Sequence, residues 1–199
     1  MRRGHLSNSI SLSNVTPNNP SNCTSAAGIV GSLFETGIST VTNCASTGNI
    51  TGTRYIGSAV GYLSKSTATL KNVYVTGTVT GGTIANNYSN KFIGAFDNAN
   101  IISTDRHGGS LAIKNSYYWS KAGGSAVVGG STPQEPSVYG MIYHDNRAVL
   151  EDDPTVPLVN ALGEDWTEVT CKLSSGPGTE TPGEYKIPVP KVFGASVCK

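Results

Sequence analysis

The stretches "NCASTGNITG" at 43–52 and "NVYVTGTVTG" at 72–81 carry Asn, Thr, Gly, Thr and Gly at the same five of ten places, one step of 29 residues apart. Self-similarity at a fixed period is the mark of a repeat architecture, and it takes precedence over local secondary-structure signals. The Asn that opens each stretch sits in a short recurring context: "LSNV" at 12–15, "VTNC" at 41–44, "LKNV" at 70–73 and, after a longer step of 43, "IKNS" at 113–116. This aligns Asn14, Asn43, Asn72 and Asn115. Between them lies a second element. "AGIVGSL" at 27–33 matches "GSAVGYL" at 57–63, which pairs Val30 with Val60 and Leu33 with Leu63, and "FIGAF" at 92–96 is a decayed third version.

Within a unit the apolar residues alternate with polar ones over short runs rich in Val, Ile, Thr and Tyr and broken by Gly or Asn. Those are strand and turn signals. No apolar period of 3.6 residues holds over 8–120, so helices are not expected there. A unit of this size cannot bury its own apolar face, but stacked copies can. Equivalent Val, Ile and Leu residues then form interior columns, and equivalent Asn residues line a corner where their amides hydrogen-bond along the stack. Glycines after the strands are expected to supply positive-φ corners. The fold class this predicts is all-β: a right-handed parallel β-helix or β-solenoid over 1–130, with a loop insertion at 82–110 and a small C-terminal α+β cap over 131–199.

The second part differs in character. The Gly/Pro/Ser-rich run 121–137 marks the boundary. "EDDPTVPLVNALGEDW" at 151–166 offers one short helix that stops at Gly163. "DWTEVTCKL" at 165–173 reads as a strand, and "YKIPVPKVF" at 185–193 as an extended edge segment. Because a stack of strands exposes unpaired edges at its ends, this segment is expected to cover the last one. The chain begins almost inside its first repeat, so a longer, multi-domain natural chain is expected.

Charge excludes several functions. The 199 residues carry a net charge of +1, and only 14% are charged, against roughly 25% for ordinary soluble domains. No run of basic residues is present, so nucleic acid is not an expected partner. No segment approaches the roughly 18 apolar residues of a membrane span, and no secretory leader follows the N-terminal Arg pair.

Four cysteines, Cys23, Cys44, Cys171 and Cys198, lack metal-ligand spacing. They allow three pairings, and the sequence alone does not choose. Pairing Cys23–Cys44 with Cys171–Cys198 respects the break in composition, whereas the alignment of Cys44 with Val73 argues for a buried apolar filler. Cys171–Cys198 is the candidate disulfide.

The quoted stretches, with "YIGSAVGYL" at 55–63, "IKNSYYWSKAGG" at 113–124, "LVNALGEDWTEV" at 158–169 and "YKIPVPKV" at 185–192, resemble the GLUG-motif repeats of large bacterial surface proteins. Phe96-Asp97 and the insertion at 82–110 depart from that pattern. The resemblance implies an exported, cell-surface, often multi-domain protein of adhesin type, with its signal peptide outside this chain. It brings no catalytic residues, metal or cofactor.

Catalysis on polysaccharide, the alternative reading for a β-helix, needs clustered carboxylates. Up to residue 130 the only acids are Glu35, Asp97 and Asp105. The reading is therefore a non-catalytic binding scaffold or stalk, with glycans or host surface proteins as partners. Its ligand-binding candidates are Tyr88, Tyr118 and Trp119, whose rings suit sugar stacking, and Asp105 and His107 in the insertion. In "NSYYWS", simple alternation instead turns Tyr117 and Trp119 inward as plugs for the end of the stack.

Overall fold

A computed structural model describes residues 2–17, 25–33, 37–64, 66–81, 88–97, 110–119, 129, 138–144, 147–150, 152–173 and 182–198. Described strands run in order as β1 (Arg2–Ser11), β2 (Ser25–Ala27), β3 (Val30–Leu33), β4 (Gly37–Ser46), β5 (Ile50–Gly52), β6 (Tyr55–Gly57), β7 (Val60–Ser64), β8 (Ser66–Val75) and β9 (Val79–Gly81). They continue as β10 (Tyr88–Asn90), β11 (Ile93–Asp97), β12 (Ser110–Lys114), β13 (Ser116–Trp119), β14 (Val138–His144) and β15 (Arg147–Leu150). Helix α1 (Leu158–Leu162), β16 (Trp166–Leu173), β17 (Gly183–Pro190) and a 3-10 turn (Gly194–Cys198) follow. The protein is all-β, with one short α-helix among the described residues.

The repeat in the sequence is a repeat in strand pairing. Ile50–Gly52 pairs in parallel with Val79–Gly81, and Gly37–Ser46 with Ser66–Val75, each residue meeting its equivalent 29 positions on. Val30 and Leu33 lie against Val60 and Leu63, as the aligned motifs predict, and Ile93 continues that column. Successive repeats visit four sheets in one order. β2, β6 and β10 share the first; β3, β7 and β11 the second; β1, β4, β8, β12 and β13 the third; β5 and β9 the fourth. Residues 88–90 and 93–97 are thus strands in register with the earlier repeats rather than part of a loop insertion. Residues 82–87 and 98–109 lie outside the described residues.

The corner of the large sheet is built by asparagine, not glycine. Asn8, Asn43, Asn72 and Asn115 all hold positive φ, between 47° and 54°. A short polar side chain tolerates this region better than other non-glycine residues. Asn43 Nδ2 donates to Asn8 Oδ1 (3.3 Å), Asn72 Nδ2 to Asn43 Oδ1 (2.9 Å) and Asn115 Nδ2 to Asn72 Oδ1 (2.8 Å). The expected ladder is present, but its first member is Asn8, in "LSNS" at 6–9, and not Asn14. Asn14 belongs to a second row, where its Oδ1 accepts from the Asn49 amide, as Asn49 Oδ1 accepts from the Thr78 amide. The reason is a first step of 35 residues between β1 and β4, against 29 for the next.

Positive φ at the corner resets which face a side chain takes. Leu70 and Val73, three apart, both point into the main core with Val75, while Tyr74 points out. Strict alternation through Asn72 would have put Tyr74 inside. Cys44 shares the interior row with Val73, fully buried and unpaired, as the alignment predicts. Glycine serves close approach instead: a Cβ on Gly77 would run into the carbonyl of Gly48 in the preceding repeat. A second core, of Ala26, Ile50, Ile56 and Val79, fills the space beside the fourth sheet.

The C-terminal segment is not confined to one end of the stack. Its β14–β15 hairpin extends the large sheet beyond β13, but α1, β16 and β17 lie along the outer face of that sheet. There Ala45, Tyr74 and Tyr117, with Ile10 at the margin, pack on Leu158, Leu162 and Trp166. The Tyr74 hydroxyl donates to the Pro188 carbonyl at 2.6 Å. These outward apolar residues exist because the corner flips the register, and they require a cover along the side. Helix, strand and extended edge fall where the sequence predicts, and Gly163 ends the helix at φ 99°. Asp153 does not join the helix's first turn; its carboxylate caps a tight turn through the Thr155 hydroxyl and amide.

Candidate binding surface

Of the five ligand-binding candidates, Tyr118 and Trp119 have described side chains. Asp105 and His107 lie outside the described residues. Tyr118 is half-buried against the main core, and the Lys91 ammonium stands 5.5 Å from its ring centre. Trp119 packs against the outer core formed with α1. Alternation had turned Tyr117 and Trp119 inward; the positive φ of Asn115 inverts that order. Tyr117 is buried on the outer side, where its hydroxyl donates to Asn115 Oδ1 at 2.6 Å. Tyr118 and Trp119 thus take opposite sides of the sheet, each half-buried against a different core.

Tyr88 leads elsewhere. It lies in β10, in register with Tyr55 of β6. Tyr55 in turn stacks on Tyr62 of β7, ring centres 4.5 Å apart and planes within 14°. The Arg54 guanidinium stands 4.9 Å above the Tyr55 ring. Local sequence explains the meeting. The bend at Gly57 to Ala59 in "TRYIGSAVGYL" separates two short strands, and places residues seven apart side by side on their outer faces. A Cβ at Gly57 would strike the Val60 carbonyl, so the bend depends on glycine. Both tyrosines are half-buried and Arg54 is exposed. The stack offers an apolar edge beside a held guanidinium. In sequence Tyr55 and Tyr62 are simply seven residues apart; the bend between β6 and β7 is what stacks their rings.

Cys171 and Cys198 form a disulfide with Cα atoms 5.1 Å apart, which pins the 3-10 turn to β16. Burial pushes the Cys44 thiol up, with hydrogen bonding to Ser9 only partly offsetting it. Among the described residues no group of three or more His, Cys, Asp and Glu side chains is placed to hold a metal, and no helix is long and apolar enough to cross a membrane. An open depression of about 440 Å³ at the tip of the β16–β17 hairpin is lined by Lys172, Leu173, Pro182, Gly183 and Glu184. No protein-family model, curated protein or solved structure matches the chain.

Proposed function

We propose that the chain is a non-catalytic binding module of an exported or cell-surface protein. Its repeats wind as a right-handed parallel β-solenoid, resembling GLUG-type adhesins, and its side faces contact glycans. The winding is supported by the order of strands: successive described strands return to the same sheets in the same sequence, and the repeat strands pair in parallel. Right-handed crossover is the rule for parallel strands.

The observation that carries the binding role is the Tyr55–Tyr62 stack beneath Arg54, with Tyr88 in register on the next strand. Aromatic carbon beside a fixed fork of N–H donors suits a sugar, which presents C–H bonds on one face and hydroxyls at its rim. A screen of the purified chain against neutral glycans and matrix proteins tests this. Retention of at least one glycan class, lost in Tyr55→Ala/Tyr62→Ala with the fold intact, is the expected result. No retention by the wild-type chain reduces it to a stalk.

A further inference from the structure

The outer face of the large sheet on the N-terminal side of the Asn corner collects cations that are far apart in sequence. In β8 the side chains of Ala68 and Leu70 enter the core, so Thr67, Thr69 and Lys71 point out. Pairing in register aligns Thr42 with Lys71 and Lys71 with Lys114. One strand earlier, Arg3 and His5 lie beside Ile38 and Thr40, and His5 Nδ1 is hydrogen-bonded to the Thr40 hydroxyl. Arg3, His5, Lys71 and Lys114 are all exposed. None of β1, β4, β8 or β12 contains an acidic residue. Asp165, which borders the corner, accepts from Asn43 Nδ2 at 3.4 Å.

Adjacent strands lie about 4.8 Å apart, so Lys71 and Lys114 set two ammonium groups side by side. Like charges directly opposite each other weaken a sheet. The arrangement becomes favourable when an anion bridges them. Around these cations the described strands carry no acids and are rich in threonine hydroxyls, which hydrogen-bond as both donors and acceptors. The first 130 residues as a whole carry nine Lys and Arg against three acids.

We propose that this face binds a linear acidic polysaccharide, its carboxylate or sulfate groups on Lys71, Lys114 and Arg3 and its hydroxyls on the threonine rows. No Tyr, Trp or Phe lies in β1, β4 or β12, and the one aromatic of β8, Tyr74, is buried beneath the C-terminal segment. Single-stranded nucleic acid needs such rings as stacking platforms, and that favours a glycan as the polyanion. The site is separate from the Tyr55–Tyr62 stack and does not depend on it.

The test is binding of the full chain to dextran sulfate and polygalacturonate, with uncharged dextran and single-stranded DNA as comparisons, over a series of salt concentrations. Retention on at least one acidic polysaccharide and not on dextran is expected. Lys71→Gln/Lys114→Gln should lower the slope of log affinity against log salt by about two units, one per lost cation. Lys172→Gln/Lys186→Gln on the C-terminal hairpin should leave it unchanged. Tyr55→Ala/Tyr62→Ala should also leave it unchanged, so failure of the aromatic site and failure of this one are told apart. Should the double variant unfold, each single Lys→Gln variant must show about one unit. Equal retention on dextran, indifference to both lysines, or tighter binding to DNA overturns the proposal.

Discussion

Asn72 donates its side-chain amide to Asn43 Oδ1 at 2.9 Å, and both residues hold the backbone at positive φ, 53° and 54°. One residue type thus does two things at each corner: it accepts an unfavourable backbone region and ties that corner to the next. The two roles separate experimentally. Asn72→Gly keeps the backbone region and loses the two amide bonds, to Asn43 and from Asn115. Asn72→Ala loses those bonds and also strains the backbone, which costs about 1–2 kcal/mol more. Urea unfolding should rank wild type above Gly and Gly above Ala. An Ala variant as stable as the Gly variant would remove the backbone from the account.

Gly31 and Gly61 occupy one column but meet different surroundings. Gly31 has open space where a Cβ would stand, whereas a Cβ on Gly61 would lie 2.6 Å from the Gly31 carbonyl. Gly31→Ala should change stability by no more than about 0.5 kcal/mol. Gly61→Ala forces backbone apart between repeats and should cost about 1–3 kcal/mol or more. Thermal melts of the two variants make the comparison. Equal effects would show that the stacking distance is not what selects glycine here.

The 29-residue pairing of β4 with β8 was legible because aligned letters become aligned residues when identical units stack. Four features were not. "LSNS" at 6–9 and "LSNV" at 12–15 fit the motif equally well, and only the 35-residue register of β1 on β4 selects Asn8. The facing of Tyr117 and Trp119 was misread because alternation assumes an unbroken strand, and Asn115 breaks it. The lateral seat of α1 and β16 follows from the same flip, which no local pattern in the C-terminal segment announces. No basic run marks the cationic face, because Lys71 and Lys114 meet only through strand pairing and Arg3 reaches the same sheet two strands away.

Cys44 is closed off between repeats, and burial raises its thiol above the usual range. A raised pKa leaves less thiolate at any given pH, and the thiolate is the form that reacts. Alkylation mapped by mass spectrometry should therefore find Cys44 protected in the native chain. The protection should persist as pH rises through the normal thiol range, and it should vanish in denaturant. Modification of Cys44 at the rate of a free thiol near pH 8.5 would contradict the buried placement.

The junction between the repeats and the C-terminal segment rests heavily on Tyr74. Its ring is fully buried and meets Trp166 edge-on, centres 5.5 Å apart, and its hydroxyl donates to the Pro188 carbonyl. Tyr74→Phe keeps the packing and leaves that carbonyl without its side-chain donor, a loss of about 1 kcal/mol. Tyr74→Ala adds a cavity and should cost about 3–5 kcal/mol. Location separates the two variants further. β4 and β8 pair with each other through their backbones and share a core that Tyr74 does not enter. Hydrogen exchange in Tyr74→Ala should therefore rise across β16 and β17 while the amides of β4 and β8 stay protected. Loss of protection in both places together would mean that the repeats depend on their lateral cover, and that the outer core with Leu158, Leu162 and Trp166 is part of one cooperative unit with the stack.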